Sequence, residues 1–297
     1  MEHPCLCMDV GGTSIKYALI DSALELREYG KVKTPYEGVE AYLQQLSEIY
    51  QQFSGQVEGI GMAVPGRISP EGVCLSAGAL KYADGLDLSG ELEKRCGVPV
   101  SVMNDAKSAA LAEAKWGALS DCRDGAAIVL GTGIGGALIK DGQVHMGVHY
   151  SAGEFSFISL GGELDDPSSM WCGQNGNFRL IRMAARAKNL PEEEISGEDV
   201  FRWVEEGDPL VCQALDRFTA VVARMIFNLQ MIYDPERIVI GGGISRQRSL
   251  LEYIQKNLDF CHQMLGLDMP KAEVTTCKFF NEANLLGAYA NFLNARL

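Results

Sequence analysis

The chain has 297 residues, of which 47% are hydrophobic and 22% charged, and its formal net charge is −13. This length suits two domains better than one core, and the composition is typical of a soluble globular protein. The acidic balance disfavours nucleic acid as a partner. Glycines between positions 131 and 136 interrupt the longest apolar stretch, so we expect no membrane partner. The first residues lack a secretory pattern and the nine cysteines have the character of reduced thiols, which predicts a cytoplasmic protein.

The first half of the chain alternates strand and helix patterns. Two apolar runs flank a pair of glycines and predict a β-hairpin, Cys5 to Met8 with Ile15 to Ile20. Further elements follow in order: a helix over 38–53, a strand over 59–63 ending at Pro65-Gly66, a helix over 86–96 closed by Gly97, a strand over 98–103 and a helix over 106–119.

The second half repeats this plan from Gly125. The run 126–130 precedes a glycine loop, and the run 137–139 precedes Asp141-Gly142, which predicts a second hairpin. The remaining predicted elements are an acidic surface turn and helix start over 191–199, a long core helix over 211–233, a strand over 237–240 leading into Gly241-Gly242-Gly243, and a last helix over 285–295. The order is that of an α/β protein.

Two glycine loops lie 120 positions apart, at Gly11-Gly12 and at 131–136. Each sits between two apolar runs, where glycine exposes backbone N–H groups and removes the Cβ atoms that would keep an anion away. Gly131, Gly133 and Gly136 also match the dinucleotide fingerprint, but that fingerprint requires a helix next, and the sequence indicates a hairpin. An ordinary turn is the simpler alternative for one loop alone. The pair predicts two domains that hold one polyphosphate.

Two aspartates follow predicted strands. Asp9 either caps the first turn or faces the phosphates, where it would hold Mg²⁺ directly or through water. Asp105 either caps the following helix, a role that Asn104 could also take, or accepts the proton of an attacking hydroxyl.

Six segments in chain order carry a recognisable pattern: Met8 to Asp21 (MDVGGTSIKYALID), Gly61 to Gly66 (GMAVPG), Asn104 to Glu113 (NDAKSAALAE), Leu130 to Ile139 (LGTGIGGALI), Ala152-Gly153-Glu154 and Ile238 to Ile244 (IVIGGGI). Together they resemble the ROK family of sugar kinases and sugar-responsive repressors. The resemblance implies two similar actin-like (ribonuclease H-like) domains with a nucleotide and sugar cleft between them. The N-terminal domain would comprise 1–117 plus 284–297, and the C-terminal domain 118–283. It also implies ATP, Mg²⁺, transfer of the γ-phosphoryl group to a hexose hydroxyl, and a homodimer.

The same resemblance assigns roles to matching positions. Asp105 would be the catalytic base. The sugar would contact Asn104, Asp105, Glu154 and Gly66, with Phe157 and Arg179 at its anomeric end. The phosphates and the nucleotide would contact Asp9, Gly11, Gly12, Thr13, Lys16, Gly131, Thr132, Gly133, Gly242 and Gly243. Asp9 would also hold Mg²⁺, directly or through water.

Departures from the family pattern concern its structural zinc. The family usually has a histidine three residues after the glutamate, where this chain has Phe157. Its cysteine cluster aligns with Met170, Cys172, Asn177 and Arg179, so one thiolate remains of four ligands and tetrahedral zinc needs four. We therefore expect no zinc and a structural thiol at Cys172. His145 and His149 are four apart, but no third ligand is evident nearby.

A zinc-less pattern of this kind resembles that of bacterial β-glucoside kinases. Here it consists of Gly153-Glu154-Phe155, Ser169-Met170 and Arg179. It implies phosphorylation of the 6-hydroxyl of a glucose unit in a β-glucoside such as cellobiose, with an aromatic face near the anomeric end. Glucokinase, or another hexose or N-acetylhexosamine kinase, is the alternative enzyme. A non-catalytic sugar-binding protein has no need of both Asp9 and Asp105, and a repressor would need a DNA-binding segment ahead of Asp9, which we do not expect.

Overall fold

The computed structural model describes residues 4–131, 133–161 and 166–296. The chain divides into two compact units. The first holds the residues up to Trp116, the segment Met146–Ala152 and the residues from Glu282 onward, and the second holds Gly117–His145 and Gly153–Asn281.

The first unit is a five-stranded sheet with helices. Its elements are β1 (Cys5–Val10), β2 (Ser14–Ile20), β3 (Leu26–Lys33), α1 (Val39–Gln51), β4 (Ile60–Val64), β5 (Arg67–Ile68), β6 (Cys74–Ser76), α2 (Leu88–Cys96), β7 (Val100–Asn104) and α3 (Asp105–Trp116). The strand order is β3-β2-β1-β4-β7, in which β1, β2 and β3 are antiparallel while β4 and β7 run parallel to β1. Strands β1 and β4 are buried along their whole length, as expected of strands covered on both faces.

The second unit repeats this architecture. Its elements are β8 (Gly125–Leu130), β9 (Ile134–Lys140), β10 (Gln143–Val144), α4 (Trp171–Asn175), α5 (Asn177–Lys188), α6 (Gly197–Glu205), α7 (Pro209–Tyr233), β11 (Arg237–Gly241), α8 (Arg248–Leu265) and β12 (Glu273–Thr276). The strand order β10-β9-β8-β11-β12 again joins three antiparallel strands to two parallel ones. The second predicted hairpin is confirmed by β9 and β10, so no helix follows the second glycine loop.

The last helix, α9 (Ala283–Asn294), packs within the first unit through glycines. A Cβ atom on Gly287 would lie 1.8 Å from the carbonyl oxygen of Ser108 in α3, and one on Gly61 of β4 would lie 2.5 Å from that of Ala288. Because neither contact leaves room for a side chain, these two glycines set how closely α9 approaches α3 and the sheet. Among the described helices, none is both long and apolar enough to cross a bilayer.

The segment 146–152 belongs to the first unit, whereas the sequence assigned it to the second domain. Lys107 of α3 is fully buried, and its Nζ atom donates a hydrogen bond to the carbonyl oxygen of Tyr150 at 3.3 Å. Burying an ammonium group is costly unless it is hydrogen-bonded, so this contact ties the segment to α3. The sequence pattern around Lys107 gave no sign of such a long-range partner.

Candidate active site

The first glycine loop, between β1 and β2, has its carbonyl oxygens engaged by neighbouring residues. Thr34 donates twice, from Oγ1 to Gly11 O at 2.7 Å and from its N–H to Thr13 O at 3.2 Å. The Tyr36 hydroxyl donates to Gly12 O. The N–H groups of Gly12 and Thr13 have no hydrogen-bond partner within the described part of the chain. A loop with occupied carbonyls and available N–H groups is arranged to receive an anion.

The segment that supports this loop is itself anchored. The hydroxyl of Tyr82 donates to the carbonyl oxygen of Pro35 at 2.8 Å, between Thr34 and Tyr36. Burial, with smaller contributions from Tyr36 and Glu37, raises the pKa of Tyr82 to about 12. The hydroxyl therefore keeps its proton, and this hydrogen bond, across the physiological pH range.

Asp9 lies beside the loop at the end of β1 and is 7% exposed. Lys16 stands opposite it in β2, with Nζ 3.4 Å from Asp9 Oδ2. Asn284, in the first turn of α9, donates from Nδ2 to Asp9 Oδ1 at 2.9 Å. Each carboxylate oxygen thus has one of these partners and keeps capacity for another. Sequence reasoning missed Asn284, because its nearness to Asp9 depends on how the chain ends fold together.

Asn104 connects three parts of the site and is 5% exposed. Its Oδ1 accepts the Lys107 N–H at 3.0 Å, so Asn104 is the N-cap of α3. Its Nδ2 donates to Gly66 O at 2.8 Å and to Asp105 Oδ1 at 3.1 Å. Asp105 also accepts the N–H of Ala106 at 2.8 Å and is half-buried. Because Asn104 fills the N-cap position, Asp105 is the first residue of α3 and not its N-cap, although it too accepts an N–H of the first turn.

Gly66 follows β4 and brings its turn against the neighbouring strand. Its φ is +97°, and a Cβ atom there would lie 1.9 Å from Ser76 O, so only glycine fits. The next residue, Arg67, has a buried Nε atom with no partner among the described residues. A buried donor left unsatisfied is costly, which makes Arg67 a candidate site residue. The sequence did not single it out, although a cation directly after a Pro-Gly turn was the available signal.

The second glycine loop lies between β8 and β9, the equivalent place in the second unit. The Gly131 N–H donates to Gly133 O at 3.0 Å, and a Cβ atom on Gly133 would meet nothing closer than Ser156 Oγ at 3.9 Å. A side chain at Gly133 would thus make only ordinary van der Waals contact with the described residues. Thr132, the third residue predicted here, lies outside the described residues.

Glu154 is held beside β9 by two close approaches. A Cβ atom on Gly136 would lie 2.0 Å from Phe155 Cδ2, and Gly153, with φ +81°, would place one 2.7 Å from Ala137 Cα. Because Gly136 and Gly153 have no side chains, Gly153 and Phe155, the residues on either side of Glu154, pack directly against β9. This explains Gly136, the last glycine of the apparent dinucleotide fingerprint, as a packing residue. Glu154 is half-buried.

Phe157 is 67% exposed, and Arg179 is half-buried. The sequence predicts both at one end of the sugar, and that placement stays a prediction. In the structure Arg179 lines a groove between α5 and α7, and the residues lining that groove include neither Glu154 nor Phe157.

Residues 170–176 occupy the stretch that aligns with the family's zinc cluster. Trp171 is fully buried, and its ring centroid lies 5.9 Å from that of Phe155. Its Nε1 donates to Asn175 Oδ1 at 2.7 Å, and Asn175 Nδ2 donates to Phe218 O at 2.8 Å. Aromatic packing and two buried hydrogen bonds thus hold this stretch together.

Cys172 is a half-buried free thiol. Over the ranges described, no three histidine, cysteine or acidic side chains are grouped so as to hold a metal ion, and this includes His145 and His149.

The loop after β11 carries Gly242 and Gly243 and borders a groove of about 870 Å³. Gly242 has φ +95°, and a Cβ atom there would lie 2.1 Å from Leu130 O. Within the groove the Arg246 guanidinium lies 4.6 Å from the centroid of the Phe280 ring, a cation–π pair. Phe280 has φ +45°, a strained conformation for a bulky residue that is typical of functional sites.

Comparison with known proteins agrees with this architecture. The ROK family model matches residues 5–295. A β-glucoside kinase of Klebsiella pneumoniae is 29% identical over 289 residues, which cover 96% of this chain and 94% of the relative. A ROK family protein from Streptococcus pneumoniae TIGR4, solved in complex with sucrose, has a TM-score of 0.87 and 27% identity over 99% of both chains. A ROK family glucokinase from Streptomyces griseus, solved with glucose and AMPPNP, has a TM-score of 0.83 and 25% identity, covering 96% of this chain and 97% of that one.

These matches extend over nearly the whole chain and confirm the family and the α/β class predicted from the sequence. The five-stranded sheets of the two units have the same strand order. Each unit carries a glycine loop between its first two strands. The chain therefore belongs to the ROK family and has its duplicated actin-like fold.

Proposed function

We propose that the protein is an ATP-dependent sugar kinase that phosphorylates the 6-hydroxyl of a glucose unit, with a β-glucoside as substrate. The observation that carries the proposal is Asp105, a carboxylate at the start of α3 that Asn104 orients and that is not required as a cap. In the reaction the sugar oxygen forms a bond to the γ-phosphorus, the bond from that phosphorus to the β,γ-bridging oxygen breaks, and ADP leaves. The hydroxyl proton passes to the Asp105 carboxylate.

The sugar contacts follow from the residues around Asp105. Asn104 uses three of its four hydrogen-bonding positions internally, which leaves one lone pair on Oδ1 for a sugar hydroxyl. The unpartnered Arg67 Nε is a donor for a second hydroxyl. Gly66 belongs to the turn whose carbonyl oxygen Asn104 holds, and Glu154 is the acceptor proposed from the second unit.

Phosphate binding is assigned to the two glycine loops. The available N–H groups of Gly12 and Thr13 and the ammonium group of Lys16 suit phosphate oxygens, and the glycines of the second loop keep Cβ atoms away from an anion. Asp9 fits Mg²⁺ held through water, since magnesium favours one or two carboxylates together with phosphate oxygens. When bound, Mg²⁺ neutralises charge on the phosphates.

The groove lined by Ser245, Arg246 and Phe280, at the end of the loop that carries Gly242 and Gly243, is proposed to hold the adenosine. It is lined largely by apolar atoms, as a purine requires, and its volume of about 870 Å³ lies within the range of small-molecule sites. The Arg246 guanidinium and the Phe280 ring both offer flat faces on which a base can stack. The bound AMPPNP of the Streptomyces griseus glucokinase supports a nucleotide as co-substrate.

The preference for a β-glucoside rests on Phe157. An exposed aromatic ring stands where the family usually has a histidine, so a free 1-hydroxyl loses a hydrogen-bond partner and a second sugar ring gains a stacking surface. The Klebsiella pneumoniae relative is a β-glucoside kinase, and the Streptococcus pneumoniae protein binds sucrose, whose glucose is substituted at its anomeric carbon. Glucokinase is the alternative, favoured by the Streptomyces griseus structure.

A substrate screen tests the proposal. ADP formation is measured with ATP and Mg²⁺ against cellobiose, gentiobiose, glucose, N-acetylmannosamine and fructose, with a no-sugar control. We expect the highest kcat/KM with a β-glucoside. Turnover of glucose alone would make glucokinase the function, and no turnover with any sugar would contradict a kinase.

A further inference from the structure

The arginines of this acidic chain fall into two groups. Eight of the fourteen pair with a carboxylate: Arg27, Arg95, Arg123, Arg182, Arg202, Arg237, Arg248 and Arg296. Six have no carboxylate partner within 4–131, 133–161 and 166–296: Arg67, Arg179, Arg186, Arg217, Arg224 and Arg246. Two of these six lie at the proposed sugar and nucleotide sites. Three of the others, Arg179, Arg186 and Arg217, line one groove that the proposed reaction does not use.

The groove lies between α5 and α7 and has a volume of about 510 Å³. Arg179 and Arg186 are two turns apart on α5 and therefore share a face, and Arg217 comes from α7. The apolar part of the lining includes Met183 and the buried ring of Phe218. Two carboxamides, those of Gln174 and Gln213, complete the polar part of the wall.

None of the described residues that line this groove is a carboxylate, although acidic residues outnumber basic ones by 39 to 26 in the chain. On the same helix, Arg182 is bound by both oxygens of Glu192, from Nε at 2.9 and 3.1 Å. Three guanidinium groups that share a groove repel one another, and a bound anion relieves that repulsion. Guanidinium groups match the oxygens of a phosphate in a bidentate manner, which makes a phosphate the anion of choice.

We propose that the groove between α5 and α7 binds a phosphate monoester about the size of a sugar phosphate. The three arginines take the phosphate, the two glutamines take hydroxyl groups, and the apolar lining takes the carbon face of the ligand. Its volume is in the range of small-molecule sites. The product of the proposed kinase is one such ligand, and in that respect alone the inference rests on the proposed function. A product bound here would act from a site separate from Asp105.

Binding to the full chain is measured by calorimetry with glucose 6-phosphate, inorganic phosphate and glucose as separate titrants. The test variant is the double change Arg186→Gln with Arg217→Gln, both at exposed positions. The matched control is Arg182→Gln, which removes a positive charge from the same helix outside the groove. A further titration with wild-type protein saturated with cellobiose and ADP blocks the active site.

We expect glucose 6-phosphate to bind with the active site blocked, at least tenfold more weakly in the double variant and unchanged in Arg182→Gln. Inorganic phosphate should show the same dependence with lower affinity, because the apolar lining and the carboxamides contribute nothing to it. If the chain phosphorylates no sugar, arginine-dependent binding of inorganic phosphate still supports the site.

Three outcomes would overturn the proposal. One is equal binding by the wild type and the double variant. A second is equally weak binding of inorganic phosphate and glucose 6-phosphate, which means an adventitious ion only. The third is a change of oligomeric state in the double variant, by light scattering, with no ligand binding in the wild type, which would make the groove an interface between copies of the chain.

Discussion

Asn104 Nδ2 lies 3.1 Å from Asp105 Oδ1 and donates a hydrogen bond to it, while Asn104 Oδ1 caps the same helix through the Lys107 N–H. One side chain therefore both starts α3 and orients the proposed base at its first residue.

Replacing Asp105 with asparagine tests the proposed base. Asp105→Asn keeps the size of the side chain but removes the proton acceptor, so kcat should fall by roughly 10²–10⁴-fold while sugar affinity changes far less. Steady-state kinetics and sugar titration measure the two effects. Asp87→Asn is the control, since Asp87 only caps α2 by accepting the Gly90 N–H, and its kcat should match the wild type. Near-normal kcat in a folded Asp105→Asn protein would remove Asp105 from the chemistry.

Asn284 is expected to act through Asp9. Asn284→Ala removes the donor that holds Asp9 Oδ1 at 2.9 Å, so the carboxylate is less well placed for Mg²⁺ and phosphates. The concentration of Mg²⁺ at half-maximal rate should rise severalfold, with sugar affinity unchanged. Asn294→Ala, at the far end of α9 where its partner is Lys115, is the matched control. An unchanged Mg²⁺ dependence in Asn284→Ala would show that Asp9 needs no such support.

Most of the sheet-forming elements could be predicted from the sequence because their signals are local. Apolar runs and glycines indicate the hairpin of β1 and β2 and the strand β4. Apolar residues at intervals of three and four indicate the long helix α7. The third strand, β3, was not predicted, since its alternation of half-buried and exposed positions lacks an apolar run. The helix α8 and the strand β12 were also not assigned.

The site was predictable only where its residues lie in motifs. Asp9, Asn104 and Asp105 stand beside glycines or strand ends, which drew attention to them. Asn284 and Arg67 lie outside such motifs. Asn284 matters through Asp9, which is 275 residues away in sequence, and Arg67 through its buried Nε atom, which has no partner among the described residues. Arg179 does lie in a motif, but the motif shows only its neighbours in sequence. That Arg179 lines the groove between α5 and α7 is known from the structure alone.

The stretch aligned with the zinc cluster is expected to be stable without metal. Protein purified without added zinc should contain far less than one equivalent by elemental analysis, and a zinc chelator should leave its stability unchanged. Trp171→Ala should lower the free energy of unfolding by about 3–5 kcal/mol, since it empties a fully buried site. Phe178→Ala, at a side chain that is 61% exposed, should change it by no more than about 0.5 kcal/mol. Stoichiometric zinc would contradict the alignment around Cys172.

Asp208 is expected to make stability depend on acid pH. Its hydrogen bonds with the Lys188 side chain and the Val211 N–H hold the pKa of its carboxyl below the ordinary value. Its contribution to stability is therefore present above the ordinary pKa of about 3.9 and is lost as the pH falls through the lowered value. Asp208→Asn can still accept at the cap but carries no charge.

Urea unfolding at pH 7, 5 and 3.5 checks this dependence. At pH 7 Asp208→Asn should unfold at a lower midpoint urea concentration than the wild type. On acidification that midpoint should fall less in the variant than in the wild type. Asp268→Asn, at an exposed position outside any helix, is the control and should follow the wild type. Parallel curves for wild type and Asp208→Asn would contradict the assignment.

Phe157 is expected to set the preference between a glucoside and free glucose. With an apolar ring at the proposed anomeric end, a free 1-hydroxyl contributes little binding free energy there, and a substituent at C1 costs little. Each unmade hydrogen bond shifts specificity by about 1 kcal/mol. Cellobiose or an aryl β-glucoside should thus show kcat/KM at least comparable with glucose. Phe157→His should move the ratio toward glucose, whereas Phe178→His, at a similarly exposed phenylalanine, should not. A preference for glucose above about 100-fold in the wild type, about 2.7 kcal/mol, would require a closed anomeric pocket and make glucokinase the better description.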